Sequence, residues 1–434
     1  NMSPVRLRWL HLQTARQLDQ AGPDVALAAG HYLNAGEPEL AADAYGKAAR
    51  YALSLFALEE ARTLSERALT LASAASFGLH ETHGDVFNLM GLKREASEAY
   101  GRALIVCRAE DWAAQVRLHR KILECISRLD FDSARSAYHQ GVADLLIAPD
   151  KNPTYWAEWL ELNLCWFRAN YWVANTAEMA RLLRLMEQPL ALYGSAIQKI
   201  QYRLCAIQLH YITEGFTATA VQVELARQNV ADAERLESPY ETAESLGFLG
   251  FVAFLADLFD ESERAFAACL SIIPKYGFLS VVERSYAYLS LVYRRCQRPE
   301  QVAQTLDALE TALQKTQVRP YQLLVSAQRA WLAYLAGDFV AAQELAISAV
   351  TGWNAEKIPY PLRWPGLMVL LGISIETGDF AAARTHAEAL LARNQQQLTP
   401  GVTAVLKAAL SSPQQPPSPD WQQALAIIQK DGYL

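Results

Sequence analysis

Two histidines three residues apart form the first pattern that could carry chemistry. His80 and His83 stand in the stretch HETH. Zinc proteases carry H-E-x-x-H, in which the two imidazoles lie four residues apart on one face of a helix. The spacing here is one residue short. It therefore favours two surface histidines beside the start of a helix over a metal site.

The sequence contains no phosphate-binding loop, no dinucleotide-binding glycine motif and no serine nucleophile elbow. The stretch AYGKAA contains the pair Gly46-Lys47, but it lacks the upstream glycine and the following Ser or Thr of a phosphate-binding loop. No G-x-G-x-x-G and no G-x-S-x-G is present, and the remaining histidines lie far apart in the sequence. The sequence therefore predicts a protein that is not an enzyme and that holds no metal or cofactor.

Aromatic side chains are concentrated in residues 154–172, TYWAEWLELNLCWFRANYW. Trp156, Trp159 and Trp166 are spaced by three and seven residues, which places them on one helical face. An aromatic stripe at this spacing usually fills the space between helices, and this is the favoured interpretation. The alternative is a platform for a ligand or peptide with polar groups nearby. Its candidate residues are Tyr155, Trp156, Trp159, Trp166, Arg168, Tyr202 and Arg203.

A proline-rich loop offers a second candidate binding region. Residues 353–366, WNAEKIPYPLRWPG, place Tyr360, Arg363 and Trp364 in an extended connection between helices. Loops on helical repeats often carry binding contacts. Proline-containing connections are also common without any function, so both interpretations stay open.

Composition and charge limit the class of protein. A chain of 434 residues exceeds the roughly 250 to 300 residues of a single core, which leaves several domains or a repeat array. The net charge of −7 leaves no basic stripe, so we expect no direct contact with nucleic acid. The longest apolar stretch, 247–259, is interrupted by Asp257 and is too short to cross a membrane. Six widely spread cysteines without a CxxC pair indicate reduced thiols and a cytoplasmic protein.

An internal repeat predicts the fold. In each copy, small residues occupy two inner positions of a first helix, and a turn residue follows. The second helix then carries an alanine, a bulky residue four positions after the alanine, and a small residue three positions after the bulky one. The clearest copies are GDVFNLMGLKREASEAYGRAL (84–104), AGHYLNAGEPELAADAYGKAA (29–49) and GFVAFLADLFDESERAFAACLSIIP (250–274). These offsets match those of the tetratricopeptide repeat (TPR). We therefore expect an all-α fold, an α-solenoid (superhelix) of TPR-like helical hairpins.

The first 75 residues carry a more particular resemblance. The stretch RLRWLHLQTARQLDQ is followed by a segment that contains His31, Tyr32, Ala35, Gly36 and Glu37. This order resembles the start of the helical-repeat region in large bacterial signal-transduction ATPases, including LuxR-type activators with an ATP-binding core. The resemblance implies that a nucleotide-binding module precedes this chain in its parent protein.

These observations predict four segments. We expect a lead-in helix over 1–24 at the junction to an upstream domain, TPR-like repeats over 25–410, a Pro-rich linker over 411–420, and a terminal helix over 421–434. The expected function is a non-catalytic sensor and protein-interaction domain, the C-terminal regulatory arm of a bacterial ATP-dependent transcriptional regulator. The alternative is a stand-alone TPR scaffold that binds a peptide or protein. Expected partners are a protein, the upstream ATPase domain of the same protein, or a small-molecule effector, with no membrane involved.

Overall fold

The computed structural model describes residues 3–19, 24–74, 77–127, 130–272, 279–316, 318–356, 360–411 and 419–434. Within these ranges the chain forms 22 α-helices and no strand. The prediction of an all-α fold is confirmed. The chain divides into two compact units, Asn1–Lys199 with Tyr276–Phe278, and Ile200–Lys275 with Leu279–Leu434.

The first unit is built from ten helices and the start of the eleventh. They are α1 (Pro4–Leu18), α2 (Val25–Ala35), α3 (Pro38–Ser54), α4 (Leu58–Leu71), α5 (Phe77–Leu89), α6 (Lys93–Val106), α7 (Trp112–Ile126), α8 (Phe131–Ile147), α9 (Pro153–Trp172), α10 (Thr176–Tyr193) and α11 (Ala196–Thr213).

The second unit contains most of α11 and the remaining helices. They are α12 (Ala220–Arg235), α13 (Pro239–Leu255), α14 (Phe259–Ile272), α15 (Leu279–Arg295), α16 (Pro299–Thr316), α17 (Arg319–Leu335), α18 (Phe339–Ala355), α19 (Trp364–Glu376), α20 (Phe380–Leu390), α21 (Pro400–Ser411) and α22 (Pro419–Lys430). Most of the predicted linker, residues 412–418, lies outside the described residues.

Within the hairpins, a small residue of the first helix packs against a bulky residue of the second, as the repeat pattern predicts. Tyr100 of α6 is fully buried against Gly84 of α5, where an added Cβ would lie 2.4 Å from the tyrosine ring. The same arrangement recurs between Gly250 of α13 and the fully buried Phe266 of α14, with a corresponding distance of 2.8 Å. Glycine at the inner position therefore lets a large side chain of the second helix reach the backbone of the first.

The turns inside the hairpins share one backbone conformation. Gly36, Gly91, Gly337 and Gly378 all have φ between 76° and 84°, the left-handed region that ends many helices. At the same place between α13 and α14 stands Asp257, with φ of 55°. The turn conformation is thus kept even where the glycine is not.

Successive hairpins stack through their first helices. In the first unit α7 contacts α9; in the second unit α13 contacts α15, α15 contacts α17, and α17 contacts α19. Each hairpin thus packs on its neighbour along the chain, as in a helical repeat. Among the helices described, none combines the length and the hydropathy that a membrane crossing needs.

Candidate functional site

Trp166, one of the predicted platform residues, is part of the packing in the first unit. It is 5% exposed and stacks against Tyr138, with ring centroids 4.8 Å apart and planes 12° apart. Its second aromatic neighbour is Phe131, at 5.3 Å. The indole N–H donates to Oε1 of Glu178 at 3.1 Å. Its contacts are those of a side chain that fills the space between α8, α9 and the start of α10.

The beginning of α9 carries a more accessible aromatic group. Trp156 stacks on Tyr193 of α10, with ring centroids 5.0 Å apart and planes 2° apart. Trp159 meets Trp156 edge to face at 5.7 Å, and buried Tyr155 does so at 5.3 Å. The Lys151 ammonium lies 5.8 Å from the Trp156 ring centre. Trp156 and Trp159 are only partly buried, so the structure brings these aromatic residues together with part of their surface open.

The polar residues proposed for the same platform interact with other side chains of the protein. Arg203, in the second unit, donates from Nε to Oδ1 of Asn229 at 2.6 Å and from Nη2 to Oδ2 of Asp232 at 2.5 Å. Tyr202 is partly buried beside it in the sequence. Arg168, in the first unit, is partly buried on α9. Burial opposes ionisation of Glu124, but the charges of Lys93, Arg168 and Arg120 outweigh burial and lower the pKa of that carboxyl.

The proline-rich loop lies in the second unit, and its three candidate residues differ in role. Tyr360 stacks on Trp353 with ring centroids 5.2 Å apart. Arg363 binds the side-chain oxygen of Asn354 through Nη1. Trp364 is 3% exposed and donates from Nε1 to Oε1 of Gln396 at 2.9 Å. Trp364 therefore belongs to the packed interior, while the other two remain partly exposed.

The histidines of α5, His80 and His83, are held by the packing of the first unit. His83 is 6% exposed, and its Nδ1 lies 2.9 Å from Oγ of Ser65. Burial lowers the pKa of His83 and also that of His80. The expectation of two surface histidines was therefore wrong for His83. In the portion of the chain that the structure describes, no group of three or more His, Cys, Asp or Glu side chains could hold a metal ion.

The first unit carries a row of charged side chains on α5, α7 and α9 that the sequence analysis missed. We call Glu81, Asp85, Arg117, Lys121 and Glu158 the charged row. Arg117 binds Glu81 with both Nε (2.7 Å) and Nη2 (3.2 Å). Lys121 lies 2.9 Å from Oε1 of Glu81 and 2.6 Å from Oδ1 of Asp85. Arg117 also approaches Glu158 at 3.8 Å.

The charges in this row are held in place. Burial by itself would raise the pKa of Glu81, but the hydrogen bonds and charges of Arg117 and Lys121 outweigh burial and lower that pKa to about 2. Glu158 behaves in the opposite way, because burial raises its pKa in spite of Arg120 and Arg117. Its Oε2 is buried and has no hydrogen-bond partner among the described residues. The row thus combines fixed ion pairs with one unused acceptor.

A groove opens beside the charged row. It has a volume of about 550 Å³ and lies between the end of α3 and the helices α5 and α7. Its walls are formed by Arg50, Leu53, Ser54, Phe77, Gly78, Glu81, Thr82, Asp85, Arg117 and Lys121. Charged groups of both signs and a few apolar side chains face the same space, so the groove presents charges that a polar ligand or peptide segment can complement.

A signal for this row exists in the sequence. Glu81 and Asp85 are four residues apart, as are Arg117 and Lys121, and the two pairs are separated by 36 residues. That separation is close to the repeat length of about 34 residues. Opposite charges at repeat-length spacing therefore predict ion pairs between successive first helices.

Comparison with known proteins places the fold. No protein-family model matches the chain, and no curated protein matches its sequence. A Rap protein, solved in complex with competence and sporulation factor, is similar with a TM-score of 0.53 and 12% identity, over 85% of this chain and 99% of that one. A signal-transduction ATPase with a tetratricopeptide repeat sensor, from Pyrococcus horikoshii, is similar with a TM-score of 0.52 and 11% identity. The match covers 90% of this chain and 63% of that one. This chain has a TPR-like helical-repeat fold.

Proposed function

We propose that this chain acts by binding, through the charged row and the groove beside it, and not by catalysis. The observation that carries the proposal is the set of fixed charges on α5, α7 and α9. Arg117 and Lys121 are already oriented by Glu81, so a ligand that meets them loses little side-chain entropy. A peptide segment with charges of both signs, or a polar small molecule, has the chemistry to fit this surface.

The biological setting that we propose is a regulatory arm. The segment with His31, Tyr32, Ala35, Gly36 and Glu37 resembles the beginning of the repeat region in bacterial ATP-dependent transcriptional regulators of the LuxR type. In that setting the arm receives an effector, a protein partner or the ATPase core of the same protein, in the cytoplasm. A ligand that prefers one arrangement of the arm shifts the regulator between inactive and active states.

The alternative is a stand-alone scaffold for a protein or peptide. The fold suits both proposals, because helical repeats offer extended surfaces for partners. The reading frame of the parent gene separates them. A nucleotide-binding module encoded upstream favours the regulatory arm, and its absence favours the scaffold.

The aromatic and loop residues remain secondary candidates for ligand contact. Among them we favour Trp156 and Trp159, because they are clustered and partly exposed beside Lys151. Tyr360 and Arg363 are partly exposed in the second unit, as are Tyr202 and Arg203. Tyr155, Trp166 and Trp364 are buried, so we assign them to the support of the surfaces around them.

A thermal-shift screen against sugars, nucleotides, amino acids and short peptides of mixed charge tests the proposal. A ligand at 100 times its Kd adds about 2.7 kcal/mol to the stability of the folded state, which is easily measured. We expect Lys121→Met to abolish the shift and Arg62→Gln, a change in an exposed pair with Glu59, to preserve it. A ligand that shifts both variants equally would show that the groove is not the binding site.

A further inference from the structure

The last described residues of the chain are buried in the second unit. Asp431, Gly432, Tyr433 and Leu434 follow α22, and we call them the 431–434 segment. Tyr433 and Leu434 are 3% and 2% exposed. They are held by residues far away in the sequence, which lie at the end of α15, in the turn after it, and on α19. We call Arg294, Arg295, Gln297, Trp364 and Gly372 the cradle.

The cradle recognises the backbone of this segment. Arg294 donates from Nε (3.1 Å) and Nη2 (2.6 Å) to the carbonyl oxygen of Tyr433. Arg295 donates from Nε to the carbonyl oxygen of Asp431 at 3.1 Å. Gln297 donates from Nε2 to the backbone oxygen of Leu434 at 2.8 Å. Backbone oxygens of three residues in the segment are thus bound by side chains, as in the recognition of a peptide ligand.

The cradle also fits the side chains of the segment. The Tyr433 ring meets Trp364 edge to face, with centroids 5.0 Å apart, and the Arg295 guanidinium lies 4.0 Å from its centre. The Leu434 side chain packs on Gly372, where an added Cβ would lie 2.7 Å from Cδ1 of the leucine. Gly432 approaches the carbonyl oxygen of Arg295 so closely that a Cβ there would lie 2.2 Å from it. The site therefore selects a glycine, then an aromatic residue, then an aliphatic one.

The energetics centre on Arg294, which is fully buried. Its other acceptors are neutral, namely Oε1 of Gln328 at 3.1 Å and the carbonyl oxygen of Pro365 at 3.0 Å. No carboxylate forms an ion pair with Arg294 within the described ranges. Without the 431–434 segment, Nε and Nη2 would lose their protein acceptor. The donors of the vacated cradle would then be open to the carbonyl oxygen of another peptide, which would restore their hydrogen bonds.

We propose that the cradle is a binding site for a peptide segment of the type Gly-aromatic-aliphatic whose glycine forms a helix-ending turn, and that the 431–434 segment occupies it as an internal ligand. A foreign peptide of this type competes with the segment. The segment is attached to the same chain and so acts at a high effective concentration, of the order of millimolar for a short connection. Occupancy by a foreign peptide therefore needs either a high peptide concentration or a weakened segment. This inference does not depend on whether the chain belongs to an ATPase.

One substitution weakens the segment in the full chain. Gly432→Ala adds a methyl group that collides with the Arg295 backbone, at a residue with φ of 76°. Gly337→Ala is the matched control, because Gly337 also has φ of 76° but has no atom within 4 Å of an added Cβ. The probe is a fluorescent peptide with the sequence of residues 427–434, and its binding is followed by fluorescence anisotropy. A second site variant, Gln297→Asn in the Gly432→Ala chain, shortens the donor to Leu434.

We expect the peptide to bind Gly432→Ala at least ten-fold more tightly than it binds the unaltered chain or Gly337→Ala. Gln297→Asn should reduce this affinity several-fold. Equal binding to both glycine variants, or no binding to a Gly432→Ala chain that melts cooperatively, overturns the proposal. If Gly432→Ala does not fold, hydrogen exchange in the unaltered chain decides. Millimolar peptide must then accelerate exchange of the Tyr433 amide, which donates to the carbonyl oxygen of Ile428, and unchanged exchange rejects the site.

Discussion

A single glycine sets the distance between two helices of the repeat. Gly84 lies against the ring of Tyr100, whose hydroxyl donates to Oδ1 of Asp85 in the charged row at 2.8 Å. The same tyrosine ring lies 5.4 Å from Nζ of Lys121. The spacing inside one hairpin therefore also positions two charges that face the groove.

Gly84→Ala should destabilise the first unit by about 1 to 3 kcal/mol, because the added Cβ would lie 2.4 Å from the buried Tyr100 ring. Gly101→Ala in α6 is the control, since no atom lies within 4 Å of its added Cβ. That change should stabilise the protein by about 0.5 to 1 kcal/mol through helix propensity. Urea unfolding measures both values, and equal effects would contradict the close packing.

Glu81 gives the charged row a dependence on pH. Its folded pKa of about 2 lies below its usual value of 4.5, so its stabilising effect is fully present above pH 4.5 and is lost as the pH falls towards 2. Glu81→Gln should destabilise the protein by about 1.5 to 3 kcal/mol at pH 7, since charged hydrogen bonds are lost. The difference from the unaltered chain should shrink below pH 4.5. Urea titrations from pH 7 to pH 3 measure it, and a difference that stays constant would contradict the ion pairs.

At the scale of helices and turns, the repeat pattern predicted most of what the structure contains. The Gly84–Tyr100 and Gly250–Phe266 contacts follow from the small and bulky positions read in the sequence. The charged row was missed because its partners lie on different helices, and only the stacking register brings them together. Similar ion pairs at repeat-length spacing join Arg227 to Glu261.

The fit between α15 and the 431–434 segment was beyond sequence reasoning for a different reason. Arg294 and Tyr433 are separated by 139 residues, and no repeat period relates them. Their contact depends on where the last helix is placed in the second unit. Local patterns carry no information on such a contact.

In the turn between α9 and α10, we expect replacement of an alanine by glycine to raise the stability of the protein. Ala174 is exposed and has φ of 51°, a conformation that costs an alanine about 1 to 2 kcal/mol. Ala174→Gly removes this strain, but glycine has a larger conformational entropy in the unfolded chain, which offsets part of the gain. The net effect should stabilise the protein by up to about 1 kcal/mol. Ala157→Gly on the exposed side of α9 should destabilise it by about 1 kcal/mol. Thermal unfolding compares the two, and a loss of stability in both would contradict the left-handed turn.

The whole molecule has a TPR-like fold with two candidate binding regions, one in each unit. The groove beside the charged row lies within the first unit, and the cradle around Arg294 lies within the second. Charge governs the first and backbone recognition governs the second, so the two should respond to different ligands.

The most direct test of the proposed function uses the protein encoded by the complete parent gene. The measurement is its rate of ATP hydrolysis, compared between the unaltered protein, Lys121→Met and the control Arg62→Gln. We predict that Lys121→Met changes the rate, or its response to effector, at least ten-fold, while Arg62→Gln leaves both unchanged. An unchanged rate and response in Lys121→Met, or a parent gene without a nucleotide-binding module, would contradict the regulatory-arm proposal.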